Sequence, residues 1–262
     1  MKIKEIMTKE FICVNKNEDL KHVMDLMKKH NISKIPVMDG EKLVGIVTDN
    51  KIADKLGSLR SRGIPPSRMH ASSVMDKKFE AIYPEMDVKE ILATVGKPGL
   101  TMLPVVENGL LVGVVTKADL LPFVKGNEKV KEIMSTDVYS VKPDDRVIHA
   151  RRILFNNDIA RLPVVDDGKV VGILSDEEIA FALSELKKVH SLGHQNHRIR
   201  KIIVRDVMKT PAIIVNEDIT VEEAAAIMMK NEIGCVPIVG DDEKIKGIVT
   251  RTDLVRLLTD KL

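Results

Sequence analysis

The stretch "CVPIVGDDEKIKGIVTRTDLVRLL" (residues 235–258) reads as two β-rich runs around a tight turn, followed by a helix that Thr250 would cap. The chain writes the same phrase three more times: "KIPVMDGEKLVGIVTDNKIADKL" (34–56), "MLPVVENGLLVGVVTKADLLPFV" (102–124) and "RLPVVDDGKVVGILSDEEIAFAL" (161–183). Each hairpin begins at a proline: Pro36, Pro104, Pro163 or Pro237. Upstream, "KEIM", "SSVM", "KEIM" and "RDVM" end in Met7, Met75, Met134 and Met208, and every Met precedes its Pro by 29 residues. From Pro to the glycine of "VGIV", "VGVV", "VGIL" or "KGIV" the interval is 9, 9, 9 and 10. The Met-to-Met spacing varies instead (68, 59 and 74), so insertions fall in linkers and the chain is a fourfold repeat.

Inside a copy the periods are readable. A short extended piece follows the Met ("FICV", "VYSV", "AIIV"), and then comes an amphipathic helix with Leu20, Val23, Met24 and Met27 at i, i+3, i+4 and i+7. Asp39-Gly40, Asn108-Gly109 and Asp167-Gly168 signal tight turns, while the fourth copy has the longer "GDDEK". The unit is therefore β-α-β-β-α. At about 55 residues it is marginal alone, so copies are expected to pair and bury their sheets together.

Composition narrows the function. A chain of 262 residues with 44% apolar content can pack a sizeable core, and a net charge near +2 gives no global field for nucleic acid or membrane. Cys13 and Cys235 lie in apolar runs and read as inert thiols rather than a disulfide framework. No apolar run reaches the roughly 18–20 residues of a membrane span. The opening "MKIKEIMTKE" lacks a signal-peptide core, so a cytoplasmic location is expected.

The order Met–strand–helix–"PVV"–turn–"GIVT"–helix resembles the cystathionine-beta-synthase (CBS) domain. Two such domains pair into a Bateman module, and four in one chain resemble the layout of the gamma subunit of AMP-activated protein kinase. The resemblance implies an α/β fold with modules at 1–124 (copies about 2–57 and 70–124) and 125–262 (copies about 129–186 and 204–262). The two modules would stack into a disc, within the chain or in a homodimer.

The strand-to-helix junctions are Thr48-Asp49-Asn50-Lys51, Thr116-Lys117-Ala118-Asp119, Ser175-Asp176-Glu177-Glu178 and Thr250-Arg251-Thr252-Asp253. A helix N-terminus attracts anions, and a carboxylate one turn in could accept from ribose hydroxyls. In adenosine-binding CBS domains the Thr or Ser meets phosphate or ribose and the Asp holds ribose. That assigns Thr116 with Asp119, and Thr250 with Asp253. Lys51 cannot accept from ribose, and Ser175…Glu178 has the form of a capping box. The resemblance also places adenine between one copy's hairpin and its partner's opening strand. That nominates Phe11, Ile12 and Val114 in the first module, and Val138, Tyr139 and Ile248 in the second. Any of these can equally be core.

The residue two before the hairpin proline is often basic in nucleotide-binding relatives. Here it is Lys34 and Arg161 in the first copy of each module, but Met102 and Cys235 in the copies that carry the Asp. Either the cations reach across each pseudo-twofold, or the ligand carries little negative charge, as S-adenosylmethionine does.

The linkers add little. Arg60, Arg62 and Arg68 make a basic loop, but 3% aromatics leave little for base stacking, so nucleic acid is not an expected partner. His190, His194 and His197 could ligate a metal only on a helix, which Gly193 and Asn196 disfavour. No nucleophile, Walker or metal motif suggests catalysis. The expectation is a regulatory protein that binds an adenosine-containing small molecule, with no resident cofactor or metal, and signals to a protein partner the sequence does not name. A ligand-free interaction scaffold is the rival, and a nucleic-acid binder acting through the basic linkers is a third reading.

Overall fold

Leu20, Val23, Met24 and Met27 are buried along one face of a helix spanning Leu20–Lys29, whose N-cap Asp19 accepts from the His22 N–H at 3.0 Å. The same unit recurs four times in the computed structural model, which describes residues 1–58, 64–98, 102–189, 199 and 201–259. The first repeat holds α1 (Ile3–Ile6), β1 (Val14–Asn15), α2 (Leu20–Lys29), β2 (Lys34–Asp39), β3 (Lys42–Thr48) and α3 (Asp49–Gly57). The second holds α4 (Val88–Val95), β4 (Met102–Glu107), β5 (Leu110–Thr116) and α5 (Lys117–Leu120). The third holds α6 (Val147–Asn156), β6 (Arg161–Asp166), β7 (Lys169–Ser175) and α7 (Asp176–Val189). The fourth holds β8 (Val215–Asn216), α8 (Val221–Lys230), β9 (Cys235–Val239), β10 (Ile245–Thr250) and α9 (Arg251–Arg256).

The sheets of repeats one and four are mixed. The opening strand runs parallel to the first hairpin strand (Val14 beside Val37, Val215 beside Ile238), and the hairpin itself is antiparallel. In repeats two and three the opening strand shrinks to single bridges, Ile82 to Val105 and Val141 to Val164. Asn108-Gly109 and Asp167-Gly168 both turn through positive φ, as a type I′ hairpin requires. In the first copy Asp39 pairs with Lys42, so the turn is Gly40-Glu41, one residue beyond the Asp39-Gly40 read from sequence. Only Gly40 takes positive φ there.

The two constant letters of the repeat meet each other across repeats. A Cβ on Gly113 would lie 2.8 Å from Met7 Sδ, and one on Gly45 would lie 2.8 Å from Met75 Sδ. The same holds for Gly172 with Met208 (2.7 Å) and Gly247 with Met134 (2.5 Å). Each Met therefore lies on its neighbour's hairpin, where only glycine leaves room, and the residue after it bridges to that strand: Thr8 to Val114, Asp76 to Ile46, Ser135 to Ile248 and Lys209 to Ile173. Repeat one is thus paired reciprocally with two, and three with four.

The helices pair the other way. One core cluster joins Leu20, Ile52 and Leu56 of repeat one to Leu154, Ile179 and Leu183 of repeat three. A second joins Ile91 and Leu120 of repeat two to Met228 and Leu254 of repeat four. Polar ties seal both seams: Arg151 Nη2 lies 2.8 Å from Asp54 Oδ1, and Lys117 Nζ donates to Thr252 Oγ1 at 2.6 Å. Sheets pair within a module, helices pair between modules, and the four repeats close a ring within one chain. Among the described residues no helix is long and apolar enough to cross a membrane.

Candidate functional site

The Thr-x-x-Asp junctions form as capping boxes. Asp119 Oδ2 accepts from the Thr116 N–H (2.6 Å) and hydroxyl (2.8 Å), while Oδ1 accepts from the Thr8 hydroxyl at 2.7 Å. Asp253 Oδ2 accepts from the Thr250 N–H (2.8 Å) and hydroxyl (2.7 Å), and its other oxygen lies 3.8 Å from Arg256 Nη1. Glu178, which the sequence set apart as a capping-box acid, makes the same arrangement. It accepts from the Ser175 N–H at 2.8 Å and from the Ser175 hydroxyl. Lys209 then pairs with Glu178 at 3.0 Å, in the position that Thr8 holds against Asp119. At the first junction the charges are exchanged, with Lys51 3.7 Å from Asp76. In the first three repeats, position three of the junction helix and the residue after the partner's Met thus form one complementary pair, which accounts for the departure at Lys51.

A cavity of about 780 Å³ opens where all four repeats meet. It brings together Thr116, Asp119, Phe11, Ile12 and Val114 of the first module with Lys34 and Arg161. Thr250, Asp253, Val138, Tyr139 and Ile248 do not line it; Ile248 instead exchanges backbone hydrogen bonds with Ser135 at 3.0 Å, and Tyr139 is exposed. From the second module the cavity takes the third-repeat junction, Ser175 and Glu178, together with Ile173, Lys209 and Ile213. Helix α5 has four residues, so the dipole assumed at Thr116 is that of a single turn.

Besides Lys209, three cations, Lys34, Arg161 and Arg251, line the cavity. Among the described residues none of them has a carboxylate within 4 Å; the Arg251 Nε donates to the Ile233 carbonyl at 3.1 Å. Burial pushes the Lys34 ammonium down to about 8, with Asp49 opposing it. Burial likewise lifts the Asp49 carboxyl to about 6 and, with the Asp49 charge adding to it, Asp176 to about 8. Arg251 is held to about 10 by burial and by Arg161. Gly234 admits the Arg161 guanidinium, since a Cβ there would lie 2.6 Å from Nη1. Sequence reading missed Arg251. Its signal is an alternation at the first junction-helix residue: Asp49, Lys117, Asp176, Arg251.

The CBS domain model matches residues 3–58, 71–126, 130–185 and 204–260. The chain belongs to the CBS domain family. Its four CBS domains form two Bateman modules, each built by the Met–glycine exchange. Protein MJ1404 of Methanocaldococcus jannaschii is 26% identical across 98% of this chain, which spans 62% of that protein's length. Protein MJ1225 of the same organism is 24% identical, covering 95% of both chains. The crystal structure of MJ1225, described as a candidate archaeal homolog of gamma-AMPK, superposes with a TM-score of 0.85 at 23% identity, over 98% of this chain and 100% of that one; this likeness is one of fold. Among the described residues no cluster of three or more His, Cys, Asp or Glu is placed to hold a metal, and His190, His194 and His197 lie outside them, as do Arg60 and Arg62.

Proposed function

We propose that this CBS protein is a regulatory sensor that binds an adenosine-containing ligand in the central cavity, with ribose on Asp119 and phosphates on Lys34, Arg161 and Arg251. The observation that carries the reading is the placement, in one cavity with the Thr116–Asp119 junction, of three cations that have no carboxylate within 4 Å among the described residues. Lys34 belongs to the copy that lacks the Asp and lines the same cavity as Asp119 of the partner copy, which supports a phosphate contact across the pseudo-twofold. This favours phosphorylated ligands over S-adenosylmethionine, whose sulfonium would add positive charge to a cationic centre. Ligand binding would favour one arrangement of the ring, and a partner protein would read it.

A thermal melt against AMP, ADP, ATP, S-adenosylmethionine and adenosine tests this. A ligand at about a hundred times its Kd stabilises one site by about 2.7 kcal/mol. Phosphorylated nucleotides should raise Tm and S-adenosylmethionine should not. A second reading, an interaction scaffold without ligand, draws on the capping role of Asp119 and Asp253. It predicts no shift from any nucleotide.

A further inference from the structure

The first helix of each repeat lays one side into the core, and the repeat lets its outer side be compared four times over. Counted back from the hairpin proline, one outer position holds Lys21, Lys89, Ile148 and Glu222, and the position seven residues later holds Lys28, Gly96, Phe155 and Met229. Only α6 of the third repeat is apolar at both. Its hold on the core uses Val147, Ala150 and Leu154, which are buried, so the fold makes no demand for Ile148 or Phe155. Phe155 is 69% exposed, the most of any large apolar side chain among the described residues, and Ile148 is 38% exposed. Seven residues make nearly two turns, so the two stand on one side of the helix with Arg152 between them. The surroundings are basic. His149 and Arg152 are exposed on α6, and Arg146 and Lys201 are exposed at its N-terminal end, where the Val147 N–H donates to the Ile202 carbonyl at 3.0 Å. Arg151 is taken up by Asp54, but among the described residues none of these four cationic or titratable groups has a carboxylate within 4 Å. Helix α6 contains no acid, and Asp145 and Asp158 lie beyond its two ends.

We infer that this side of α6 docks an acidic amphipathic helix of a partner protein, with Phe155 and Ile148 as apolar anchors and the partner's carboxylates on Arg152 and Arg146. The inference gives the regulatory reading above its contact surface and does not depend on what fills the cavity. An exposed aromatic beside an arginine is the composition that dominates protein interfaces. Charge decides the occupant. A second copy of the chain is disfavoured, because the midpoint between Ile148 and Phe155 falls at Arg151 and Arg152. Two α6 helices crossing antiparallel about a twofold there would set Arg152 against its own copy, a like-charge contact at the centre of the interface. An acidic helix neutralises the same guanidinium. An anionic membrane is disfavoured as well, since α6 offers two exposed apolar side chains where an interfacial helix buries a whole apolar face.

Photo-crosslinking of the full chain inside the cells that make it tests the inference, with Phe155→p-benzoylphenylalanine as the probe and the same replacement at Lys28, the matched position of repeat one, as the control. The probe at position 155 should yield one dominant adduct that the control does not, and the crosslinked peptide should be amphipathic with a net negative charge. That protein, purified and titrated against the chain, should lose at least about tenfold in affinity on Phe155→Ala and on Arg152→Glu. Its binding should also weaken as salt rises from about 0.1 to about 0.5 M. No adduct beyond the control, an adduct with a second copy of the chain, a neutral or basic captured peptide, or an affinity indifferent to Phe155→Ala would overturn the docking face. Sedimentation of the purified chain with phosphatidylserine vesicles, abolished by Phe155→Ala, would overturn it in favour of a membrane. Phe155 does not line the cavity, so Phe155→Ala should keep the parent's Tm shift with nucleotide, and docking and nucleotide binding fail separately.

Discussion

The second- and fourth-repeat junctions carry the same letters and nearly the same hydrogen bonds, yet only one opens on the central cavity. Thr116–Asp119 faces Lys34 and Arg161 across open space; Asp253, its side chain 14% exposed, has Arg256 for a neighbour. Meanwhile Ser175–Glu178, with a different acid, stands in the cavity. The motif therefore specifies a helix cap, and which repeats surround the cap decides whether it also faces a ligand space. A sequence motif here has a local meaning and a positional one, and the two separate.

The strongest way to sharpen the comparison is Arg161→Glu. It places a carboxylate among the cavity cations and should weaken ATP binding by about 100-fold or more in calorimetry, because it removes one partner of a charged contact and adds repulsion. An ATP affinity within threefold of the parent would place the phosphates elsewhere. Next, Gly172→Ala pushes a methyl into Met208 and the Lys209 carbonyl, 2.9 Å away, and should cost about 1–3 kcal/mol in denaturant unfolding. Gly109→Ala has open space around it and pays only for its positive φ. If the two variants unfold alike, the Met–glycine seam does not hold the modules. Third, Asp119→Ala and Asp253→Ala should each lose about 1 kcal/mol of stability as caps, yet only Asp119→Ala should lose about tenfold in nucleotide affinity. Equal binding losses would erase the distinction between the two junctions.

The smallest effect is in pH. Between about 8 and 7 Asp176 gains its proton and Lys34 becomes fully charged, so both changes make the cavity more positive. Nucleotide affinity should rise several-fold as pH falls from 9 to 7, and Asp176→Asn should flatten part of that slope. For the acids, stability follows the same direction. Asp49 and Asp176 bind protons more tightly folded than unfolded, so their contribution falls as pH rises from about 4 through 6 and 8. Lys34 binds its proton less tightly folded, so its contribution rises with pH between about 8 and 10.5.

Much of this was legible in the chain. The hairpins, the amphipathic helices and the capping boxes are local, and their residues announce them. The constant Met and glycine were legible as spacing, but their contact was not, because it joins different repeats. The cavity lining was legible in part. Lys34, Arg161, Thr116 and Asp119 were nominated through the family resemblance, and the four line one cavity. Thr250 and Asp253 fit the pattern equally and lie outside it, because the ring order of the repeats depends on helix packing between modules, which no single copy encodes. Arg251 was passed over because its copy was read for its carboxylate.

The crossed helix packing has a consequence for how the chain is made. Leu120 and Ile91 share a core cluster with Met228 and Leu254 of the fourth repeat, so the first module leaves the ribosome with part of its apolar surface uncovered. At about 5–20 residues per second, roughly seven to twenty-seven seconds pass before the fourth repeat is translated. For that interval the nascent chain presents a surface shaped to receive helices like its own. Neighbouring nascent copies are then its natural competitors for assembly, and the order of synthesis becomes part of what fixes the ring within one chain.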